Sequence, residues 1–480
     1  MLLAAAAVAL APPRVAASRR APPPRMASAV PAPPRELAPL SGADEFALGF
    51  DFGTSSARCV VIDGTGAVRC EPEPYPWGER ERTQRAVDWA DALDSLLRSI
   101  PADVRGRLQR IAVSGTSGSV LLVDDSGEAA AGRGDPRMYD FSVAKQAPGG
   151  SGAAALELLA AAAPAGHTAR SATSALAKVL AWHCEAALGG GDRIAHQADY
   201  VASRLTGAPP ATDWHNALKL GFDVAALGWP SWMLDGDIGA AVGSRLPRVV
   251  RPGEPVGPVG ADAAARWGLP ADCVVTGGTT DSIAAFLAAG AAAPGDAVSS
   301  LGSTLALKLL SATAADDSSR GVYSHRLRDL WLVGGASNAG CAVLREQGFS
   351  PDELAALSDA IDPAAAPPHA DFYPLPAATV GERFPIADDA KAAVLAPVPP
   401  DRAQFLHCIL HGIAKVEADG YAALADLGAT PLTRVLTCGG GSQNPQWMAM
   451  REAMLGVPTT RPENDAAAYG AARLAAFGAG

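Results

Sequence analysis

Paired cysteines are missing from the 480-residue sequence, which has seven cysteines but no C-x-x-C pair. The sequence therefore predicts neither a disulfide framework nor a thiolate zinc site, and a reducing compartment is expected. Positive charge is also scarce, since 50 acidic residues outnumber 39 basic ones and the formal net charge is -11. We expect no nucleic-acid partner, because neutralising phosphates requires clustered Lys and Arg side chains.

Motifs of several common enzyme classes are absent as well. No G-x-x-x-x-G-K-[ST] string predicts a P-loop kinase, no G-x-G-x-x-G string supports a dinucleotide enzyme, and no G-x-S-x-G elbow indicates an α/β-hydrolase. His407 and His411 have the spacing of a metalloprotease helix, but Cys408 stands where the catalytic Glu is required. Both histidines are therefore interpreted as helix-surface or core residues.

The N-terminal region has no acidic residue before Glu36, although several arginines precede it among Ala and Pro. This composition is typical of a cleaved targeting leader, which we place at residues 1–40. The apolar stretch 2–11 is shorter than the roughly 20 residues that span a bilayer, and no later segment reaches that length, so no membrane partner is expected. A plastid transit peptide, alone or behind a secretory signal, is our interpretation, and the chloroplast stroma is the expected destination. Mitochondrial import, or a cytoplasmic protein with a disordered tail, is the alternative.

The sequence contains two pairs of apolar strands, and a tight turn of small polar residues joins the strands of each pair. The first covers residues 48–62 and carries Asp51-Phe-Gly-Thr-Ser-Ser-Ala-Arg58, and the second covers 298–310 and carries Leu301-Gly-Ser-Thr304. Such loops expose backbone N–H groups and hydroxyls together, and this nest of donors suits phosphate oxygens. One loop in each half of the chain predicts two lobes that close on one polyphosphate.

Asp51 ends its strand beside these donors. A carboxylate followed by a glycine and two hydroxyls can hold a hydrated Mg²⁺ next to a phosphate, and Arg58 adds a fixed cation. We therefore predict Asp51 as a magnesium ligand. An ordinary hairpin with polar turn residues is the alternative interpretation.

Elsewhere strands alternate with helices, which indicates an α/β protein. The Pro294-Gly295 pair interrupts a predicted helix and places a domain junction near residues 291–296. Strands are predicted at 46–51, 57–63, 67–71, 110–114, 120–124, 272–276 and 434–438, and helices at 88–100, 153–163, 281–290, 404–424 and 445–455.

Asp281 follows a strand in Thr276-Gly-Gly-Thr-Thr-Asp281 and opens a predicted helix. A carboxylate in a strand-to-helix loop at a domain junction is well placed to act as general base for a bound hydroxyl, because a cleft there can close against water. Capping of the helix N-terminus by Asp281, Thr279 or Thr280 is the competing explanation.

A third loop, Cys438-Gly-Gly-Gly-Ser-Gln-Asn-Pro-Gln-Trp447, also joins a strand to a helix. Without side chains, three glycines let a flat purine or a phosphate approach the backbone, and Asn444 and Trp447 add an amide and an aromatic face. Nucleotide binding is predicted here, with a plain tight turn as the alternative.

These segments, in this order, resemble the sugar kinases of the FGGY family, within the actin-like ATPase superfamily. The resemblance extends from Phe46 to the C-terminus. Longer strings, including Trp214-His-Asn-Ala-Leu-Lys-Leu-Gly221 and Gly278-Thr-Thr-Asp-Ser-Ile-Ala-Ala-Phe286, are most similar to the plant and cyanobacterial xylulokinase-like branch of D-ribulose kinases. The resemblance implies a two-domain actin-like (ribonuclease H-like) α/β fold with a cleft between an N-terminal domain at 46–293 and a C-terminal domain at 294–480.

Position by position, the resemblance implies a catalytic Asp281 and a set of contacts for each substrate. The ketopentose would contact Asp51, Ser55, Ser56, Ala57, Arg58, Ser117 and Asp281. ATP would be held by Thr54, Gly302, Ser303, Gly440, Gly441, Ser442, Gln443, Asn444 and Trp447.

The implied activity is transfer of the γ-phosphate of ATP to the terminal hydroxyl of a ketopentose, with Mg²⁺ and with D-ribulose as the expected acceptor. D-Xylulose is the alternative acceptor, followed by glycerol or another polyol. A non-catalytic sugar or nucleotide sensor is the alternative of a different class, although a sensor has no need of the base at Asp281. A monomer or homodimer is expected.

Overall fold

The computed structural model describes residues 37–478. The predicted leader at 1–40 therefore lies almost entirely outside the described residues. Across residues 37–478, none of the helices is both long and apolar enough to span a bilayer.

Most strands of the described region belong to two sheets. In chain order they are β1 (Phe46–Phe52), β2 (Ser56–Asp63), β3 (Val68–Cys70), β4 (Tyr75–Pro76), β5 (Leu108–Gly115), β6 (Val120–Val123), β7 (Arg193–His196), β8 (Ala211–Asp213), β9 (Arg248–Val250), β10 (Pro255–Pro258), β11 (Val274–Thr276), β12 (Thr279–Thr280), β13 (Asp296–Leu301), β14 (Leu305–Ser311), β15 (Tyr323–Leu327), β16 (Leu330–Ser337), β17 (Arg434–Cys438) and β18 (Thr459–Thr460).

The first sheet has the order β10-β11-β5-β1-β2-β3, with β12 beside β5 and β4 beside β2. Strand β1 is antiparallel to β2, which follows it, and parallel to β5. The second sheet has the order β15-β16-β14-β13-β17-β18 and repeats this arrangement, because β13 is antiparallel to β14 and parallel to β17. Each of the two predicted turns therefore closes the central hairpin of its own sheet.

Helices cover the faces of both sheets. They are α1 (Ala86–Ser99), α2 (Ala102–Arg105), α3 (Val143–Gln146), α4 (Ser151–Ala162), α5 (Ala175–Glu185), α6 (Gln197–Thr206), α7 (Trp214–Ala217), α8 (Ser231–Leu234), α9 (Gly236–Val242), α10 (Ala261–Trp267), α11 (Asp281–Ala289), α12 (Ala342–Glu346), α13 (Pro351–Asp359), α14 (Arg402–Asp426), α15 (Pro445–Leu455) and α16 (Ala467–Phe477).

The two sheets have separate cores. In the first, apolar side chains of α1 spaced four and three residues apart, such as Trp89, Leu93 and Leu96, pack with Phe50 of β1. In the second, α14 buries its apolar face against β14 and α15. The predicted bounds of β17 and α15 are confirmed.

Helices α11 and α16 lie between the two sheets. Their side chains form one cluster with residues of both sheets, including Ala47 of β1 and Val298 of β13. Contact is close, since a Cβ added at Gly470 would lie 1.8 Å from the carbonyl oxygen of Ala284, and one added at Gly49 would lie 2.1 Å from the nitrogen of Ala472. The C-terminal helix thus packs directly against the N-terminal sheet, and the bounds 46–293 and 294–480 remain a prediction.

Candidate active site

Asp51 lies near the carboxyl end of β1, between two neighbouring strands. It pairs with Arg58 of β2 on one side and with Ser114 of β5 on the other. Ser114 Oγ donates to Asp51 Oδ1 at 2.9 Å, and Arg58 Nη1 lies 3.9 Å from Asp51 Oδ2. Asp51 is buried, whereas Arg58 is exposed, so the carboxylate lies at the base of a hollow with the guanidinium at its rim.

Asp281 lies on the same edge of the sheet. Thr279 of β12 pairs with Ser114, and Asp281 comes two residues later as the first residue of α11. Burial and, second to it, the nearby charge of Asp281 together raise the pKa of Asp51 to about 7, against the opposing effects of Ser114 and Arg58. The two predicted carboxylates are therefore brought together.

The capping explanation for Asp281 has little support in the geometry. Thr280 occupies the N-cap position of α11 but makes no side-chain capping bond, and its hydroxyl is buried without a partner. Thr279 Oγ1 bonds His215 Nδ1 at 2.8 Å instead. Asp281 Oδ1 accepts only from the adjacent N–H of Ser282, at 2.6 Å. Burial raises the pKa of Asp281, while that N–H, Lys308 and Lys219 oppose the rise.

The first turn directs its carbonyl groups inward. Trp77 Nε1 donates to the carbonyl of Gly53 at 2.9 Å, and Gln84 Nε2 lies 3.3 Å from the carbonyl of Thr54. Thr54 is partly exposed and Ser55 is exposed at the tip, as a phosphate-binding turn requires.

Ser56 and Ala57, on the strand after the turn, face opposite ways. The side chain of Ala57 lies in the core of the first sheet, so a substrate contact there could involve only its backbone. Ser56 is buried on the other face of the strand, and its Oγ has no partner among the described residues.

A buried chain of amides connects this turn to the loop that carries Ser117. Gln84 Oε1 accepts from Gln197 Nε2 at 3.0 Å, and Gln197 Oε1 accepts from the N–H and hydroxyl of Thr116 at 2.9 and 2.8 Å. Both glutamines are fully buried. Ser117 is partly exposed between β5 and β6. The positions of the first turn and of Ser117 are therefore coupled.

Replacing Gln197 by leucine is expected to lower kcat/KM for the predicted phosphorylation by about 10- to 100-fold, because both loops lose their common support and small displacements are costly near reacting atoms. The buried N–H of Thr116, which donates to Gln197, would lose its partner, and this should also lower the melting temperature. Gln404→Leu, at an exposed position of α14, is the control. A Gln197→Leu variant that melts earlier but turns over normally would mean that the glutamines support only the fold.

The second turn and the glycine loop form a cavity of about 560 Å³ on the second sheet. Of the residues predicted to hold ATP, the cavity is lined by Gly302, Ser303, Gly440, Gly441, Gln443, Asn444 and Trp447. Ser442 instead turns inward and donates to the carbonyl of Gly439 at 2.7 Å.

Asn444 and Trp447 have structural partners of their own. Asn444 caps α15, since its Oδ1 accepts from the N–H of Trp447 at 3.0 Å, and its Nδ2 donates to Ser358 Oγ at 2.7 Å. Trp447 is buried and donates through Nε1 to the carbonyl of Leu410 at 2.9 Å. The indole therefore forms part of the cavity wall, continuous with the core.

A valine at position 440 is expected to block this cavity without unfolding the protein. A Cβ added at Gly440 meets no atom within 4 Å, whereas one at Gly441 would lie 2.6 Å from the ring of Trp447. We expect Gly440→Val to weaken ATP binding, measured by isothermal titration, at least tenfold. A loss of only about 1.4 kcal/mol of binding free energy is enough for that change. Gly190→Val, which also projects into open space, is the control. Unchanged ATP affinity in Gly440→Val would rule out a nucleotide at the glycine loop.

A cleft of about 710 Å³ joins residues of the two sheets. It is lined by Asp51 and Arg58 from the first sheet and by Ser300, Cys438 and Gly439 from the second. Because Gly440 is the next residue after Gly439, this cleft leads toward the cavity at the glycine loop, called the nucleotide cavity below after its predicted role. The two predicted turns therefore border neighbouring spaces, as a shared polyphosphate site requires.

Three basic residues at the site were missed by sequence reasoning. Arg345 Nη2 donates to Ser303 Oγ at 3.0 Å at the border of the nucleotide cavity. Lys308 Nζ donates to the carbonyl of Ser282 at 2.5 Å. Lys219 lies close enough to Asp281 to oppose the rise of its pKa. Lys219 falls within the string 214–221, which was a usable signal, whereas nothing in the local pattern distinguishes Lys308 or Arg345.

The residues at Asp51 fit the predicted Mg²⁺. Asp51 lines the cleft with Asp281 close to it, and within residues 37–478 no cluster of three or more His, Cys, Asp or Glu could hold a metal by itself. Mg²⁺ typically takes one or two carboxylates and completes its shell with substrate phosphates and water. When bound, it would offset negative charge on the transferring phosphate.

Comparison with known proteins identifies the second half of this arrangement. Residues 256–479 match the model of the FGGY family of carbohydrate kinases, C-terminal domain. We refer to this part of the chain, which is similar to that domain, as the FGGY domain. The FGGY domain contains the second turn, the glycine loop and Asp281.

Solved structures extend the likeness beyond the FGGY domain. A protein named xyloylose kinase from Brucella ovis is 23% identical, with a TM-score of 0.74 over 91% of this chain and 90% of that one. The xylulose kinase from Lactobacillus acidophilus is 17% identical, with a TM-score of 0.72 over 90% and 89%. Plasmodium falciparum glycerol kinase, solved with ADP, is 16% identical, with a TM-score of 0.71 over 92% and 90%. The predicted two-domain, actin-like α/β fold is confirmed, and kinases named for different acceptors share it.

Proposed function

We propose that this protein is an ATP-dependent carbohydrate kinase that phosphorylates the terminal hydroxyl of a ketopentose, with D-ribulose as acceptor and D-ribulose 5-phosphate as product. The observation that carries the proposal is the closeness of Asp281 to Asp51, which lines a cleft next to the glycine-lined cavity of the FGGY domain. D-Ribulose is preferred to D-xylulose on the strings that resemble the ribulose kinase branch. The names of the solved relatives favour D-xylulose as the second candidate.

In the proposed reaction Asp281 accepts the proton of the sugar hydroxyl while that oxygen bonds to the γ-phosphorus and the bond from γ-phosphorus to the β,γ-bridging oxygen breaks, releasing ADP. Backbone N–H groups of the two turns, together with Arg58, would stabilise charge on the transferring group. Closure of the two lobes would exclude water, which otherwise competes with the sugar as acceptor.

Coupled detection of ADP release from the leaderless protein tests the proposal, with D-ribulose, D-xylulose and glycerol as acceptors. We expect D-ribulose to give the highest kcat/KM. A higher value for D-xylulose would replace the acceptor but keep the reaction. ADP release that no acceptor accelerates, together with sugar binding, would favour the sensor alternative and overturn the kinase assignment.

A further inference from the structure

Another cavity, of about 250 Å³, lies on the second sheet and borders Ser282. Ser282, the residue after Asp281, forms one side, and Lys308, Tyr323 and His325 of β14 and β15 form another. No acidic residue lines the cavity. The side chains of Lys308, Tyr323, His325 and Arg383 supply hydrogen-bond donors to a lining that is otherwise largely apolar.

His325 lacks the partners that a buried histidine normally has. It is only 7% exposed, its Nδ1 is buried without a hydrogen bond, and Tyr323 and His215 hold its ring at centroid distances of 5.1 and 5.9 Å. The neighbouring His215 is different, since its two nitrogens bond Thr279 Oγ1 and the carbonyl of Arg326, each at 2.8 Å. Buried polar atoms without partners are uncommon and destabilising, so one at a cavity wall indicates a ligand site.

The charge state of His325 indicates which ligand would suit it. Burial lowers the pKa of His325 well below its usual value, and His215, Lys308 and Lys219 lower it further. A neutral imidazole has one donor and one acceptor, which matches a hydroxyl group better than a carboxylate. Lys308 is an ammonium with three donor hydrogens. One of them bonds the carbonyl of Ser282, and the others can donate to a carbonyl oxygen of a ligand.

The cavity also lies at the correct end of the site. Along β14, Lys308 comes five residues after Ser303 of the phosphate turn, which is about 17 Å of extended strand. Lys308 Nζ also donates to the carbonyl of Ser282, so this cavity begins one residue after Asp281. A sugar whose terminal hydroxyl meets Asp281 would extend its other end into the cavity.

We propose that Tyr323, His325 and Lys308 form a subsite for the carbonyl end of an open-chain ketose, in which His325 pairs with the C1 hydroxyl and Lys308 donates to the C2 carbonyl oxygen. The subsite rests on the proposed kinase function. It assigns to the second sheet a role in sugar binding that sequence reasoning had given only to Asp51, Asp281 and the loops of the first sheet.

His325→Phe, which keeps an aromatic ring but removes both nitrogens, tests the subsite when combined with a sugar that lacks the C1 hydroxyl. We expect this variant to raise the KM for D-ribulose about five- to tenfold, to raise that for D-xylulose equally, and to change that for 1-deoxy-D-ribulose and for ATP less than twofold. His369→Phe, at a partly exposed loop histidine, is the control. Equal effects on D-ribulose and 1-deoxy-D-ribulose, or no effect on either, would overturn the assignment.

Two further measurements keep this test separate from the kinase assignment. If wild-type protein turns over no sugar, isothermal titration with D-ribulose and 1-deoxy-D-ribulose still compares the affinities of wild type and variant, and the same selective loss supports the subsite. If His325→Phe does not fold, Tyr323→Phe removes a single hydroxyl from the same wall. We expect that variant to weaken binding of D-ribulose two- to fivefold, and unchanged affinity would contradict the subsite.

Discussion

Replacing Asp281 by asparagine is expected to lower kcat for ketopentose phosphorylation by about 10²- to 10⁴-fold, the range that a general base supplies. The amide keeps nearly the size and polarity of the carboxylate, and it can still accept from the N–H of Ser282. It cannot take up the proton of the attacking hydroxyl. ATP affinity should change little, because Asp281 does not line the nucleotide cavity.

The measurement is steady-state ADP release with saturating D-ribulose, together with ATP titration and melting temperature for each protein. Asp272→Asn, at an exposed residue before β11, removes one carboxylate from the opposite edge of the same sheet and is expected to behave like wild type. The base assignment fails if Asp281→Asn retains near-normal turnover while correctly folded.

The Arg451→Met variant is expected to lower the free energy of unfolding by about 3–5 kcal/mol, the usual effect of removing one partner of a buried ion pair. Arg451 and Glu417 are both fully buried. Arg451 Nε and Nη2 donate to the two oxygens of Glu417 at 2.5 and 2.6 Å, and Nη1 donates to Thr437 Oγ1 at 2.9 Å. Without the guanidinium, the Glu417 carboxylate is left in the core with only Ser299 Oγ as a donor.

Urea denaturation of three variants separates this effect from simple loss of charge. Lys415→Ala breaks an exposed ion pair with Asp419 on the same helix, and we expect a loss of only about 0.3–0.5 kcal/mol. In the double variant Arg451→Met/Glu417→Leu both charges are gone, so much of the lost stability should return. If the single variant Arg451→Met matches Lys415→Ala, the buried pair does not stabilise the fold as argued.

The sequence predicted correctly those helices and strands whose bounds are set by residues at their own ends. Strand β17 and helix α15 were predicted at their observed bounds, because an apolar run stops at glycines and Pro445 begins the helix. Strand β11 is shorter than predicted: it begins at Val274 rather than at residue 272, and its pairing with β5 involves Val274 and Val275. The pairing partner, not the local pattern, sets its length.

The site contacts that the sequence did not predict are made between segments that are far apart in the chain. The resemblance named Asp51 and Asp281, but the bond from Ser114 and the Gln84–Gln197 pair depend on register and helix packing across the first sheet. Lys308 and His325 come near Asp281 only because the second sheet faces α11. Ala57 shows the reverse, since the polar string around it gave no sign that its side chain lies in the core.

The packing of α16 has a practical consequence for protein production. Its residues 467–477 form the last helix within residues 37–478, yet they fill the surface of the first sheet beside Gly49. A fragment ending near residue 293 would expose that surface to solvent, so we expect it to aggregate when expressed alone. Co-expression of the two fragments, rather than separate purification, is the route by which a split enzyme could assemble.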